Sequence, residues 1–213
     1  MNLPVADGPT LTTAFTTPTP TGKSSTASAT FDLSRFRGKL VDVWPYAEGV
    51  FAADTFPKMW SWLVEEGMLR TVFYEGTRPL TLPGLVRYFD PLLNPGRLLL
   101  LATAKSGEGA GFSWFDHVMP GITAYASTFF RRKFWGPAAA EANRIALDYI
   151  FAVYRLARVY AITPARNRLA IAHAQRLGFR MVTLAPDMLD YHGGPATAAV
   201  LTLARDDFET GGF

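Results

Sequence analysis

Between residues 98 and 204, apolar alternation and helical spacing take turns, and that order constrains this chain more than any other feature. "RLLLLATAKSG" reads as a strand ending in a Gly-rich turn, and "GFSWFDHVM" and "ITAYASTFFRR" read as two more strands. "GPAAAEANRIALDYIFAVYRL" reads as the longest helix; it opens on Gly136 and Pro137, and proline suits a first helical turn. Its apolar stripe is Ala142, Ile145, Ala146, Tyr149, Ile150 and Val153, with Glu141, Arg144 and Asp148 off it. A strand "RVYAIT", a helix "RNRLAIAHAQRL" and strands "FRMVTLA" and "TAAVLTLA" follow. Upstream, "KLVDVWPY" alternates as a strand. Phe56, Met59, Trp60 and Leu63 then fall at helical spacing before Gly67, and residues 81–93 read as a second short helix between prolines. The order predicts one mixed α/β (α+β) domain over residues 31–213, and 213 residues suffice for a sizeable core.

Residues 1–30 differ. "TLTTAFTTPTPTGKSSTASAT" carries one charge, Lys23, and no apolar period. Such a segment cannot bury enough apolar surface to offset its ordering entropy. It is expected to be a flexible arm, or one docked on a partner: another copy of the chain or a neighbour in an assembly. The chain has no cysteine, and its three histidines stand far apart, so no metal site is expected. The longest aliphatic run, "RLLLLA", is far short of a membrane span, and "MNLPVADGP" lacks the features of a signal peptide. These readings predict a cytoplasmic protein with no membrane partner. A net charge of +3 is too small to argue for nucleic acid, and "RRKFW" is one short cluster rather than a basic stripe.

"N-x-x-A-I-x-x-A-x-x-L-G-F", residues 167–179, resembles the "N-x-x-[AS]…-L-G-F" segment of the GNAT superfamily of acyl-CoA N-acyltransferases. "AAEANRIALDYIF" and the tail "LTLARDDF" are similar to a helix and the closing strand of its ribosomal-protein N-terminal acetylating branch. The resemblance spans about residues 98–208. It implies a central mixed, mostly antiparallel sheet, splayed at a cofactor cleft, with helices on both faces. It also implies acetyl-CoA as co-substrate and an amine acceptor: a protein N-terminus, a lysine or a small amine.

Physical reasons stand beside the resemblance. A helix N-terminus offers free N–H groups and a positive dipole end to a pyrophosphate. In "RRKFWGPA" that start is preceded by Arg131, Arg132 and Lys133, whose charges suit CoA phosphates. Lys133, Gly136 and Ala138 fit the family's "[QR]-x-x-G-x-[GA]" loop loosely; Pro137 removes one N–H donor. The resemblance places a backbone donor for the thioester oxygen at about Thr128, Phe129 or Phe130. Asn167 serves as a helix N-cap and, by resemblance, lies near the CoA arm.

Family members often carry a tyrosine seven residues after that asparagine, or a serine three after it, as the acid. Ala174 and Ala170 stand there in this chain. His173 is one residue off, about 100° round the helix. Asp116 and His117 lead the base candidates, on a strand whose alternation sends them to opposite faces. A second reading therefore stays open: a GNAT-fold interaction or structural protein, similar in shape to phage virion components and docked through its arm.

Overall fold

The computed structural model describes residues 36–46, 53–73, 81–90 and 92–211. All of them lie in one unit, Phe36–Phe213. The arm expected at residues 1–30 falls outside the described residues. Among the described residues seven strands form one sheet: β1 (Val41–Pro45), β2 (Leu98–Ala104), β3 (Gly109–Met119), β4 (Thr123–Phe130), β5 (Arg158–Pro164), β6 (Arg180–Asp190) and β7 (Pro195–Ala204). Their spatial order is β1-β2-β3-β4-β5-β7-β6. Every neighbouring pair is antiparallel except β4 and β5. The helices are α1 (Thr55–Glu65), α2 (Leu69–Val72), α3 (Leu82–Phe89), α4 (Pro137–Tyr154), α5 (Arg168–Arg176) and α6 (Arg205–Thr210), with a 3-10 turn at Arg132–Phe134.

Strand composition follows strand position. The middle of β2 and the run from Ala110 to Phe115 in β3 are buried without a break, as expected of central strands covered on both faces. β6 is exposed along almost all its length, as suits the sheet edge. On one face Leu99, Leu101, Phe112, Trp114 and Phe129 meet Met59 and Leu63 of α1 and Leu85 and Phe89 of α3. Each such side chain, fully buried, contributes about 1.5–3 kcal/mol of transfer free energy. α4 packs on the other face, against β1, β2 and β3. Helices thus cover both faces, as the resemblance implies.

Three local differences from the sequence expectations have physical causes. The helix expected over 81–93 stops at Phe89, because Asp90 precedes Pro91 and is extended. α2 is a single turn, too short to show a period. The strand expectation for Asp116 and His117 fails locally: the register shifts between Asp116 and Met119, and His117 takes a φ of 50°. Strict alternation therefore does not set the direction of His117.

Candidate active site

The sheet forks at β4 and β5. The two strands pair only at Thr123, Ala124 and Tyr125 with Arg158, Val159 and Tyr160. Beyond that, β4 stays on β3 as far as Phe130, and β5 stays on β7 as far as Pro164. Past Tyr125, β4 keeps β3 as its bonded strand neighbour and has no strand partner on its other edge among the described residues, so the main-chain groups on that edge are open to water or a ligand. The Arg131 N–H donates to the Ala110 carbonyl at 3.0 Å, which fixes the phase of the β3–β4 ladder. By alternation, Ala126, Thr128 and Phe130 turn their main-chain groups toward the fork. The Trp135 indole Nε1 donates to the Phe130 carbonyl at 2.7 Å, so Trp135 forms a wall of the fork. The N–H groups of Thr128 and Phe130 remain aimed into it.

A cavity of about 460 Å³ occupies the fork. Met68, Thr71 and Val72 line it from one face of the sheet, and Asn143, Leu147 and His173 from the other. Trp114 and Phe129 belong to the first face and Ser113 and Thr128 to the second, so the cavity crosses the sheet. Two reactants can therefore meet there from opposite sides. Among the described lining residues the ionisable side chains are His173 and Arg176.

A chain of polar side chains runs along the second face. Thr128 Oγ1 lies 3.1 Å from Ser113 Oγ, Ser113 donates to Asn143 Oδ1 at 2.7 Å, and Asn143 Nδ2 lies 2.9 Å from His173 Nε2. Ser113 and Asn143 are the buried polar residues among those described. Burial, then the nearby Arg176 guanidinium, holds the His173 imidazole below its ordinary pKa. The sequence reading missed Ser113 and Asn143. Their signal was present: one hydroxyl in the apolar strand "GFSWF", and one asparagine beside Ala142 on the apolar stripe of the longest helix.

The residues singled out from sequence divide between this site and its surroundings. Thr128, Phe129, Phe130, Gly136, Asn167 and His173 all line the cavity. Asn167 caps α5, its side chain accepting from the Ala170 N–H at 3.2 Å. Ala170 and Ala174 line the cavity beside His173. Gly136 caps α4 with a φ of 88°, a conformation open to glycine, and Pro137 opens the helix. The first hydrogen bond of α4 runs from the Ala140 N–H to Gly136, so the N–H groups of Ala138 and Ala139 have no partner one turn back.

Arg131, Arg132 and Lys133 do not line the cavity. Glu108 takes Arg131 at 2.7 Å and also Lys133, and Glu66 accepts from the Arg132 backbone N–H at 2.8 Å. The Lys133 and Arg131 hydrogen bonds hold the Glu108 carboxyl below its ordinary pKa. Asp116 and His117 also lie outside the lining. Asp116 is paired with Arg97 and accepts from the Trp114 indole at 2.9 Å. His117 is exposed, its ring edge against Tyr125. Among the described residues no group of three or more His, Asp or Glu side chains is placed to hold a metal ion. No described helix is long and apolar enough to cross a membrane.

No family model matches the sequence, and no curated protein matches it. Solved structures match its fold. The chain is similar to a spermidine N-acetyltransferase from Vibrio cholerae in complex with CoA and spermine, at 12% identity and a TM-score of 0.67, over 81% of this chain and 100% of that one. It is similar to a GCN5-related N-acetyltransferase from Brucella melitensis, at 20% identity and a TM-score of 0.66, over 82% of this chain and 80% of that one. A ribosomal-protein-S5-alanine acetyltransferase from Vibrio fischeri matches at 14% identity and a TM-score of 0.65, over 81% of this chain and 97% of that one. Among the described residues, a mostly antiparallel sheet forked at its parallel β4–β5 pair, with an asparagine-capped helix beside the fork, gives this chain the fold of the GNAT N-acetyltransferases.

Proposed function

We propose that the protein transfers an acetyl group from acetyl-CoA to a primary amine in a ternary complex. The forked sheet with its through-going cavity is the observation that carries this reading. The pantetheine arm suits the fork because it is a hydrogen-bonding chain and the open edge of β4 offers unpaired main-chain groups. The N–H groups of Thr128 and Phe130 are the donors for the thioester oxygen, whose charge grows as the amine attacks. The start of α4 at Gly136, Ala138 and Ala139 is the place for the pyrophosphate. Arg131, Arg132 and Lys133 reach CoA phosphates only in competition with Glu66 and Glu108.

The reaction balances without a dedicated acid or base. The amine nitrogen bonds the carbonyl carbon, the C–S bond breaks, the sulfur leaves as thiolate, and the amine proton passes to water. His173 lines the cavity and Asp116 and His117 do not, so His173 is the side chain assigned to the reacting centre. The acceptor enters from the face of Met68, Val72, Trp114 and Phe129. Among the described lining residues no carboxylate stands on these walls, which favours a monoamine with an apolar body over a polycation.

The alternative, a catalytically weak or inactive GNAT-fold interaction protein docked through its arm, draws on Ala170 and Ala174 at the usual acid positions, on Pro137 and on residues 1–30; the arm lies outside the described residues, and the solved structures of similar fold are acetyltransferases. Calorimetric titration with acetyl-CoA tests the enzyme reading. Binding at micromolar to low millimolar concentration supports it, and no heat at millimolar concentration ends it. A thiol-release assay with phenethylamine against spermine then tests the acceptor class.

A further inference from the structure

The polar chain behind the cavity has a direction, and the direction fixes a proton. The 2.7 Å contact between Ser113 Oγ and Asn143 Oδ1 is the usual length of an O–H···O bond and short for N–H···O. The serine hydroxyl therefore donates to the amide oxygen. That leaves the Asn143 amino group facing His173 Nε2, at 2.9 Å. An amino group only donates, so Nε2 must accept, and the proton of a neutral imidazole sits on Nδ1. Thr128 completes the order: its hydroxyl lies 3.1 Å from Ser113 and 3.4 Å from the Phe112 carbonyl, so the closer partner is the serine. Among the described residues no protein group bonds His173 Nδ1, and that atom is not among the sealed polar atoms.

We propose that Asn143 is a positioning residue that, backed by Ser113 and Thr128, locks His173 in the Nδ1–H tautomer, so that the ring presents a hydrogen-bond donor rather than a base to the cavity's ligand. The consequence for catalysis rests on the acetyl-transfer reading. There the Nδ1–H bonds the departing sulfur as negative charge collects on it. The ring keeps its proton throughout, because giving it up would leave an imidazolate. The thiolate is neutralised afterwards by water. Burial and Arg176 both act against protonation of the ring, and Asn143, with no lone pair to offer on its amino group, leaves Nε2 nothing to donate to.

The test is spectroscopic and needs no substrate. The chain has three histidines, so long-range 1H–15N spectra of the uniformly labelled full chain resolve three rings, with His173 assigned by loss of its signals in His173→Gln. The expected wild-type pattern is a protonated Nδ1 and a bare Nε2. Asn143→Asp replaces the amide donor with an acceptor. It is expected to move the proton to Nε2 and raise the pKa of the ring. Ser113→Ala provides a second variant, which frees the amide to rotate and should give mixed tautomers. A wild-type ring protonated on Nε2, or a pattern unmoved by both substitutions, overturns the proposal. In turnover, Asn143→Asp is expected to lower kcat by about 10²-fold with KM little changed. Absence of acetyl-CoA binding in calorimetry would overturn the acetyl-transfer reading while leaving the tautomer measurement to stand or fall alone.

Discussion

Glu141 carries a structural role that its place on α4 does not announce. Its carboxylate accepts from three consecutive backbone N–H groups, those of Lys39, Leu40 and Val41, at 2.8, 2.6 and 2.9 Å. These donors enter β1, and the side chain binds them across a hundred residues of sequence. Burial alone would raise the carboxyl, yet the Leu40, Val41 and Lys39 donors outweigh it and hold the pKa below its ordinary value. A carboxyl depressed in the folded state stabilises that state above its unfolded pKa of roughly 4.3. The contribution is lost as pH falls through the lower folded value. Glu141→Ala should therefore cost about 1–2 kcal/mol at neutral pH, the partial exposure keeping it near the lower figure. Chemical denaturation at pH 7 and again near pH 3 checks this, and the gap between wild type and variant should shrink at the acid end. Gly38 belongs to the same arrangement: a Cβ there would stand 2.5 Å from the Glu141 carboxylate, so the two positions are fixed together.

At the scale of elements, α5 was the most legible part of the chain. An asparagine, an apolar pattern and Gly-Phe marked its limits. The structure gives Asn167 as the side-chain cap, Gly178 at a φ of 92°, and Phe179 buried. Asn167→Ala should cost about 1 kcal/mol through the lost cap, read as a lower thermal midpoint. The long helix and most strands were legible for the same reason, since each is long enough to show a period. α2 and the bulge at His117 were not, because one turn or one irregular residue has no period. The basic loop before α4 was legible as charge but not as partnership. Nothing near Lys133 in sequence says that Glu108, on the β2–β3 turn, or Glu66, just past α1, will meet it or its neighbours. Glu108→Gln should release Lys133 and loosen Arg131. If those cations meet CoA phosphates, acetyl-CoA affinity then rises severalfold at low salt and the gain fades at high salt. Calorimetry at two ionic strengths measures it, and an unchanged affinity would remove the loop from the cofactor site.

At the scale of the molecule, the site is a property of the sheet rather than of any segment. Its lining runs from Met68 to Leu201 and comes from strands and helices on both faces. Sequence showed the pieces on either side of the fork and suggested that they part, but not where. The structure puts the parting just after Tyr125 and Tyr160, and the next residue on each strand, Ala126 and Ala161, is small and lines the cavity. Small residues there leave the throat of the fork open. Ala161→Phe would place a ring at the throat and leave the backbone pair that Ala161 forms with Leu201 in place. Stability should change by no more than about 1 kcal/mol, a shift of roughly 2–4 °C in Tm for a chain of this size. Acetyl-CoA affinity should fall by about tenfold or more, the equivalent of ~1.4 kcal/mol. Paired melting curves and titrations separate the two effects. A variant that melts like the wild type yet no longer binds would locate the ligand in the fork, and one that binds unchanged would place it elsewhere.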